Sequence, residues 1–301
     1  MQFRRLKFNV DGLLLIDKPL GLSSHKLVSM IKILFSAKKV GHTGTLDPMA
    51  TGLLPICLGE ATKFSGYLLN ADKTYEAQIR LGYKSSTGDM EGEIVKQNKS
   101  KMPSLVEIKK TVRQFVGLSE QLPPMYSALK YQGKPLYSYA RDGVVIPRFK
   151  RKIKIHTIEL LNYEGGQLRL RIKCSKGTYI RTLAEDIGAQ LGVGAYLLGL
   201  KRTNIGNFSI ETALDMNKIQ KTKVEERNQL LLPPEELLSE FEKILLSFNE
   251  ENAIKDGKIV EQKTKNPGLY RLYGENNNFI GLGEIDQTEN LKAKRLKSLK
   301  N

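Results

Sequence analysis

Two stretches of strict alternation constrain the architecture more than anything else in this chain. From Thr74 onward, Tyr75, Ala77, Ile79 and Leu81 fall on one side, and Glu76, Gln78 and Arg80 on the other. Leu168, Leu170, Ile172 and Cys174 alternate in the same way with Arg169, Arg171 and Lys173. A period of two with one apolar side describes a β-strand that is covered on one face and wet on the other. Three other segments have helical spacing. Leu27, Val28, Ile31, Leu34 and Phe35 follow an N-cap at Ser23 or Ser24. Leu105, Ile108, Val112 and Phe115 follow the capping box Ser104–Glu107. Ile180, Leu183, Ala184, Ile187 and Leu191 are entered through Lys176-Gly177-Thr178. Residues 13–16 add a buried strand ended by Asp17-Lys18-Pro19. Strands mixed with single helices, without regular βαβ units, predict an α+β domain.

A length of 301 residues suggests about two domains. The chain breaks at Pro233-Pro234, and the acidic, amphipathic segment EELLSEFEKILLSFNEE (235–251) differs from what precedes it. Residues 268–273 and 278–285 read as two strands around the turn GENN. The expected division is therefore a larger domain over 1–232 and a small β-rich one, with its linker, over 233–301. Within the first, residues 122–150 are rich in Pro, Tyr, Gly and basic residues and read as an extended surface insertion.

Charge points to the partner. Forty-eight Lys and Arg against thirty-two Asp and Glu give a net charge of +16, which favours a polyanion through phosphate neutralisation and counterion release. Arg148, Lys150, Arg151, Lys152 and Lys154 crowd one stretch, and residues 291–301 carry five basic residues and no acid. Trp is absent, so base stacking falls to twelve Tyr and ten Phe. Two cysteines and three histidines, with no CxxC, HExxH or finger spacing, argue against a disulfide scaffold, a structural zinc and the zinc signature of a base deaminase. No apolar run approaches the ~20 residues of a membrane span. The basic start MQFRRLKFNVDG lacks the apolar core of a signal peptide, so a cytoplasmic protein is expected.

The densest special segment is GHTGTLDPMATG (41–52). Its three glycines allow close backbone approach or positive φ, and Pro48 biases Asp47 towards an extended conformation that directs its carboxylate. Thr43, Thr45 and Thr51 offer hydroxyls to orient neighbours. With no Gly-Lys-Ser/Thr ending, the loop is not a phosphate-binding P-loop.

GLLLIDKPLGLSS (12–24) followed by GHTGTLDPMATG resembles the TruB family of tRNA pseudouridine synthases. The resemblance continues in family order through KTY (73–75), GD (88–89), PPMYSALK (123–130), CSKGTYIR (174–181) and LKRT (200–203). FIGLGE (279–284) is similar to the PUA-like RNA-binding module of bacterial members. The resemblance implies a mixed, mainly antiparallel sheet with flanking helices and a PUA-like C-terminal domain. It implies conversion of uridine to pseudouridine in the T-loop of tRNA (position 55), using no cofactor and no metal; nothing in the sequence suggests an obligate dimer or protein partner, so a monomer is expected.

Residue by residue, the resemblance puts Asp47 at the catalytic aspartate, a carboxylate able to add covalently to sugar or ring and later leave. Arg181 matches its cationic partner, expected to hold the carboxyl pKa low. Tyr75 matches the tyrosine that stacks on the target base and is a candidate proton acceptor, although it also lies on the apolar face of a strand. Tyr179 and the backbone of Leu200 match further base contacts, and His42 the loop histidine that fills the space left by a flipped base. Lys18, Lys63, Asp89 and Lys176 are further candidates for RNA contact or loop support. Two other readings share these motifs: an RNA-guided synthase, and a tRNA-binding folding factor with secondary catalysis.

Overall fold

The computed structural model describes residues 8–97, 101–263 and 265–298. The first seven residues of the basic start and the last three of the basic tail lie outside the described residues. Both alternating stretches form strands, Lys73–Leu81 and Gln167–Cys174, paired antiparallel with Tyr75 opposite Ile172. They sit at the middle of a nine-stranded sheet whose main path runs Gly12–Lys18, Ala50–Leu58, Ala195–Ile205, Lys73–Leu81, Gln167–Cys174, Arg151–Glu164 and Gly117–Gln121. Val40–His42 and Phe208–Ser209 pair off this path. Every pairing is antiparallel except one, Ala50–Leu58 with Ala195–Ile205.

The helices Ser24–Leu34, Leu105–Gln114 and Ile180–Gln190 cover the apolar face and bury Leu27, Ile31, Ile108, Val112, Leu183 and Ile187 against it. Ser23 takes the first N-cap, accepting from the Lys26 amide, and the Ser104–Glu107 capping box forms as read. The insertion at 122–150 is not wholly extended: a short hairpin, Lys130–Tyr131 with Lys134–Pro135, leads into the helix Leu136–Arg141.

The acidic segment after Pro234 divides into a 3₁₀ turn Pro234–Leu238, the strand Glu242–Leu245 and the helix Phe248–Lys255. That strand runs parallel to Gly268–Tyr273 at the edge of a second sheet, which continues through Phe279–Ile285, Asn290–Leu296 and Val260–Glu261. The two sheets share a core. Leu13, Leu15, Leu53, Phe64 and Leu68 pack with Leu237, Tyr273, Phe279 and Leu282, and the Phe64 and Phe279 rings meet edge to face with centroids 5.5 Å apart. Strand Gly12–Lys18 is thus buried on both sides, Leu14 and Ile16 towards the helices and Leu13 and Leu15 towards the C-terminal sheet. This accounts for its uninterrupted apolar run. Among the described residues no helix is long and apolar enough to cross a membrane.

Leu282 is fully buried in the shared core. Leu282→Ala should cost about 2–5 kcal/mol, as for buried leucines generally, read from urea denaturation. A chain ending at Leu232 bares Leu13, Leu53 and Phe64 and should melt well below the full chain. An equal melting temperature would show that the shared core does not stabilise the larger unit.

Candidate active site

One exceptional pairing brings the loop of residues 43–49 to its neighbours. In the parallel contact Leu200 faces Ala50 and Arg202 faces Gly52, while on the other edge of the same strand Leu200 faces Ala77 and Arg202 faces Tyr75. The chain just before Ala50 therefore starts one strand away from the strand that carries Tyr75. Gly52 has φ +104°, and a Cβ there would stand 2.3 Å from the Arg202 carbonyl oxygen, so only glycine permits this approach. Register shifts at 197/199 and 202/204 bracket Leu200 and interrupt the ladder beside the loop, as bulges near active sites commonly do.

Buried polar side chains hold the loop. The Ser24 hydroxyl donates to the Leu46 carbonyl (2.8 Å) and accepts from the Leu46 amide (2.9 Å). The Lys18 ammonium, fully buried, donates to the carbonyls of Pro19 (2.9 Å), Leu22 (2.6 Å) and, more weakly, Pro48 (3.5 Å). Lys18 is therefore tied to backbone both within the loop and outside it. Desolvation lowers its pKa to about 8, opposed by the nearby Asp47 charge. Arg202 donates to the carbonyls of Gly44 (3.1 Å) and Leu53 (2.7 Å). Thr43 departs from expectation: its hydroxyl is buried without a partner among the described residues, and its amide bonds the Pro55 carbonyl instead.

The carboxylate of Asp47 meets Arg181 Nη2 at 3.1 Å, and Nη1 of the same guanidinium lies 3.4 Å from Asp89. Arg181 also donates to the carbonyls of Tyr126 (2.6 Å) and Thr87 (3.4 Å). Asp89 is buried and accepts from the Thr87 hydroxyl (2.5 Å) and the Glu91 amide (3.0 Å). One buried cation is thus shared between two carboxylates. Asp47 keeps 34% of its side-chain surface exposed while protein bulk surrounds the rest. Burial pushes its pKa above the ordinary value and Asp89 adds to the rise; Arg181 and Lys18 oppose it. The expected low pKa is thereby corrected: desolvation outweighs the guanidinium.

Tyr75 is buried with its phenol against Arg202, and burial raises its pKa. Tyr179 caps the helix that carries Arg181, and its backbone is gripped by Gln121, whose side chain accepts from its amide (2.7 Å) and donates to its carbonyl (3.0 Å). His42 is half-buried and its Nδ1 accepts from the Gly44 amide, which leaves Nε2 as the protonated nitrogen of the neutral ring. Burial and the Arg202 charge lower its pKa, favouring that neutral form. Lys63 turns away from this group: its ammonium binds Glu60 (2.8 Å), the Leu296 carbonyl (3.1 Å) and the Ser298 hydroxyl (2.8 Å), tying the two sheets together. Lys176 is exposed and bonds Asn70. Cys57 and Cys174 are buried thiols pushed up to about 12. No site role follows from the sequence for Ser24, read there as a cap candidate, for Gln121, or for Arg202 within LKRT. Their signal is weak, since each acts through backbone partners distant in sequence.

Three family models match along the chain: the TruB family pseudouridylate synthase N-terminal domain over residues 32–180, the tRNA pseudouridylate synthase B C-terminal domain over 181–239, and the pseudouridine synthase II TruB C-terminal model over 243–296. The chain is 46% identical over 297 residues to a protein of Methylobacillus flagellatus named tRNA pseudouridine synthase B, with 98% of each covered. It is 40% identical to one of the same name from Photobacterium profundum, again with 98% of each covered. Among solved structures, a Cbf5-Nop10-Gar1 complex matches with TM-score 0.69 and 27% identity, over 93% of this chain and 80% of that one. An H/ACA RNP bound to a substrate RNA containing 2'-deoxyuridine shares the fold, with TM-score 0.70 and 24% identity over 97% and 86%.

Ser24→Ala leaves both the amide and the carbonyl of buried Leu46 without their partner. The expected loss is about 1–3 kcal/mol for stranded buried groups, together with a slower reaction because Asp47 is the next residue. A urea midpoint equal to the wild type would show that Leu46 is held by something else.

Proposed function

The chain belongs to the TruB family of pseudouridine synthases, and from that premise we propose that it converts a uridine in the T-loop of tRNA (position 55) to pseudouridine with Asp47 as nucleophile. One observation carries this reading: a desolvated carboxylate, paired with a guanidinium that it shares with Asp89, keeps a third of its side chain exposed with Tyr75 and Tyr179 within reach of its charge.

The reaction is an isomerisation. The N1–C1′ bond breaks, the uracil turns, C5 bonds C1′, and the proton lost from C5 is balanced by one gained at N1. A carboxylate that bonds covalently and then leaves divides this into easier steps, and the nucleophile can act on the sugar or on the ring. Desolvation favours it, since a carboxylate stripped of water has less solvation to lose. The target base lies inside a folded loop and must be flipped out. Tyr75 then stacks on it, the interrupted ladder at Leu200 offers backbone groups to its edge, Tyr179 bounds it, and the neutral His42 ring occupies the vacated space. Arg181 and Asp89 keep Asp47 in position. The basic stretch from Arg148 to Lys154 and the exposed Lys176 bind phosphate, and the C-terminal sheet adds RNA-binding surface. Full-length similarity to proteins named tRNA pseudouridine synthase B supports a tRNA substrate.

Asp47→Asn is nearly isosteric and removes the nucleophile. It should bind an unmodified tRNA transcript within about threefold of wild type yet form no detectable pseudouridine with enzyme in excess, where product release cannot hide a slow step. Near-normal rates would remove Asp47 from the mechanism, and a requirement for a second RNA would favour a guided enzyme.

The ionised form of Asp47 is the reactive one and its pKa is raised, so activity should be full above that pKa and fall as pH drops through it. The acid limb of the rate under sub-saturating tRNA should lie above the usual carboxylate range. A limb at about pH 4 or lower would mean that burial does not govern Asp47.

A further inference from the structure

Arg202 is 1% exposed, and among the described residues no carboxylate pairs with it. A buried guanidinium without a counter-charge is expensive, and desolvation lowers its pKa accordingly. Its donors instead go to two main-chain carbonyls of the site. Nε reaches that of Leu53 at 2.7 Å and Nη2 that of Gly44 at 3.1 Å, and the Tyr75 phenol lies close enough to feel the charge. Backbone register enforces this arrangement, since Arg202 stands opposite Tyr75 on one edge of its strand and opposite Gly52 on the other. The same charge is felt by His42, Lys18 and Lys73. A strut needed only for packing would be served by an aliphatic side chain at less desolvation cost.

On the footing of the proposed pseudouridine synthase reaction, we propose that Arg202 is a positioning residue that acts on the reaction through Tyr75 and the Gly44 carbonyl. It links the loop carrying Asp47, two residues beyond Thr45, to the strand carrying Tyr75. Arginine offers only donors, so towards the Tyr75 oxygen on the strand opposite it the guanidinium presents donors and positive charge. The guanidinium also lowers the cost of any negative charge on that oxygen, so it supports Tyr75 both as a donor to the base and as a proton acceptor. Its role is orientation, since it is closed off from substrate.

The test is a double-mutant cycle in the full chain, with an unmodified tRNA transcript, enzyme in excess, and binding measured separately. Arg202→Met is expected to bind tRNA within about threefold of wild type but react roughly 100-fold more slowly, and Arg202→Lys, which keeps the charge, to recover about tenfold of that loss. In a Tyr75→Phe background the same Arg202→Met change should cost less than about threefold, because the group it acts through is already gone. Equal losses in both backgrounds, or no recovery with lysine, would overturn the proposal and leave Arg202 a packing residue. If Arg202→Met does not fold, the cycle is run with Arg202→Lys, where a loss confined to the Tyr75 background supports the proposal and an equal loss in both defeats it. Wild-type protein in the same assay separates the two levels: no pseudouridine there defeats the proposed function itself, whereas an active wild type with a fully active Arg202→Met defeats only the role of Arg202.

Discussion

Three residue pairs of parallel strand, 50–52 against 200–202, organise everything around Asp47. In an otherwise antiparallel sheet this contact brings together segments that the chain order keeps far apart. The loop before Ala50, the backbone at Leu200 and the Tyr75 side chain meet because one strand serves as neighbour to both the others. Gly52 makes the contact possible by yielding its side-chain space to the Arg202 backbone. The helix that delivers Arg181 then has only to pack on the covered face for its first turn to reach the same point.

Around that point the protein buries positive charge in unusual ways. Lys18, Lys73 and Arg202 all turn inward and spend their donors on main-chain carbonyls; Lys73 holds those of Leu69 and Ala71 at the end of the helix Ser65–Asn70. Cations bound to carbonyls lack the Coulomb return of an ion pair, which is why burial draws both lysines down to about 8. Arg181 alone has carboxylate partners, and it has two. The local excess of positive charge suits a site that must receive a polyanion.

Much of this was legible in the sequence. The alternating strands, the capped helices and the strands near 270 and 280 follow from period and punctuation alone, and the loop around Asp47 is conspicuous for its glycines and its Asp-Pro. What escaped did so for physical reasons. Strand Arg151–Glu164 begins in a run of cations that reads as a charged patch, though Ile153 and Ile155 are its buried face. Ala50–Leu58 holds Pro55 inside it, ordinarily a mark against a strand; the proline falls in the gap between the residues paired to Val40–His42 and those paired to Ala195–Ile205. Ser24, Gln121 and Arg202 act on backbone atoms distant in sequence, and no local pattern encodes a partner of that kind. The direction of the Asp47 shift likewise depends on how much protein surrounds the carboxyl, which a pairing with Arg181 read from motifs does not contain.

Strand Gly12–Lys18 is buried on both faces by parts of the chain made at very different times. During synthesis its helix-side neighbours, starting with Ser24–Leu34, emerge directly after it. The residues that complete the cover over Leu13 and Leu15, Leu237 to Leu282, leave the ribosome far later. Until then that side of the strand has only the partial cover of Leu53, Phe64 and Leu68. Such surfaces are where nascent chains recruit chaperones or stick to one another. The C-terminal sheet therefore closes this face in time as well as in space, and a stop codon anywhere before it would release a product with strand Gly12–Lys18 covered only in part on that side.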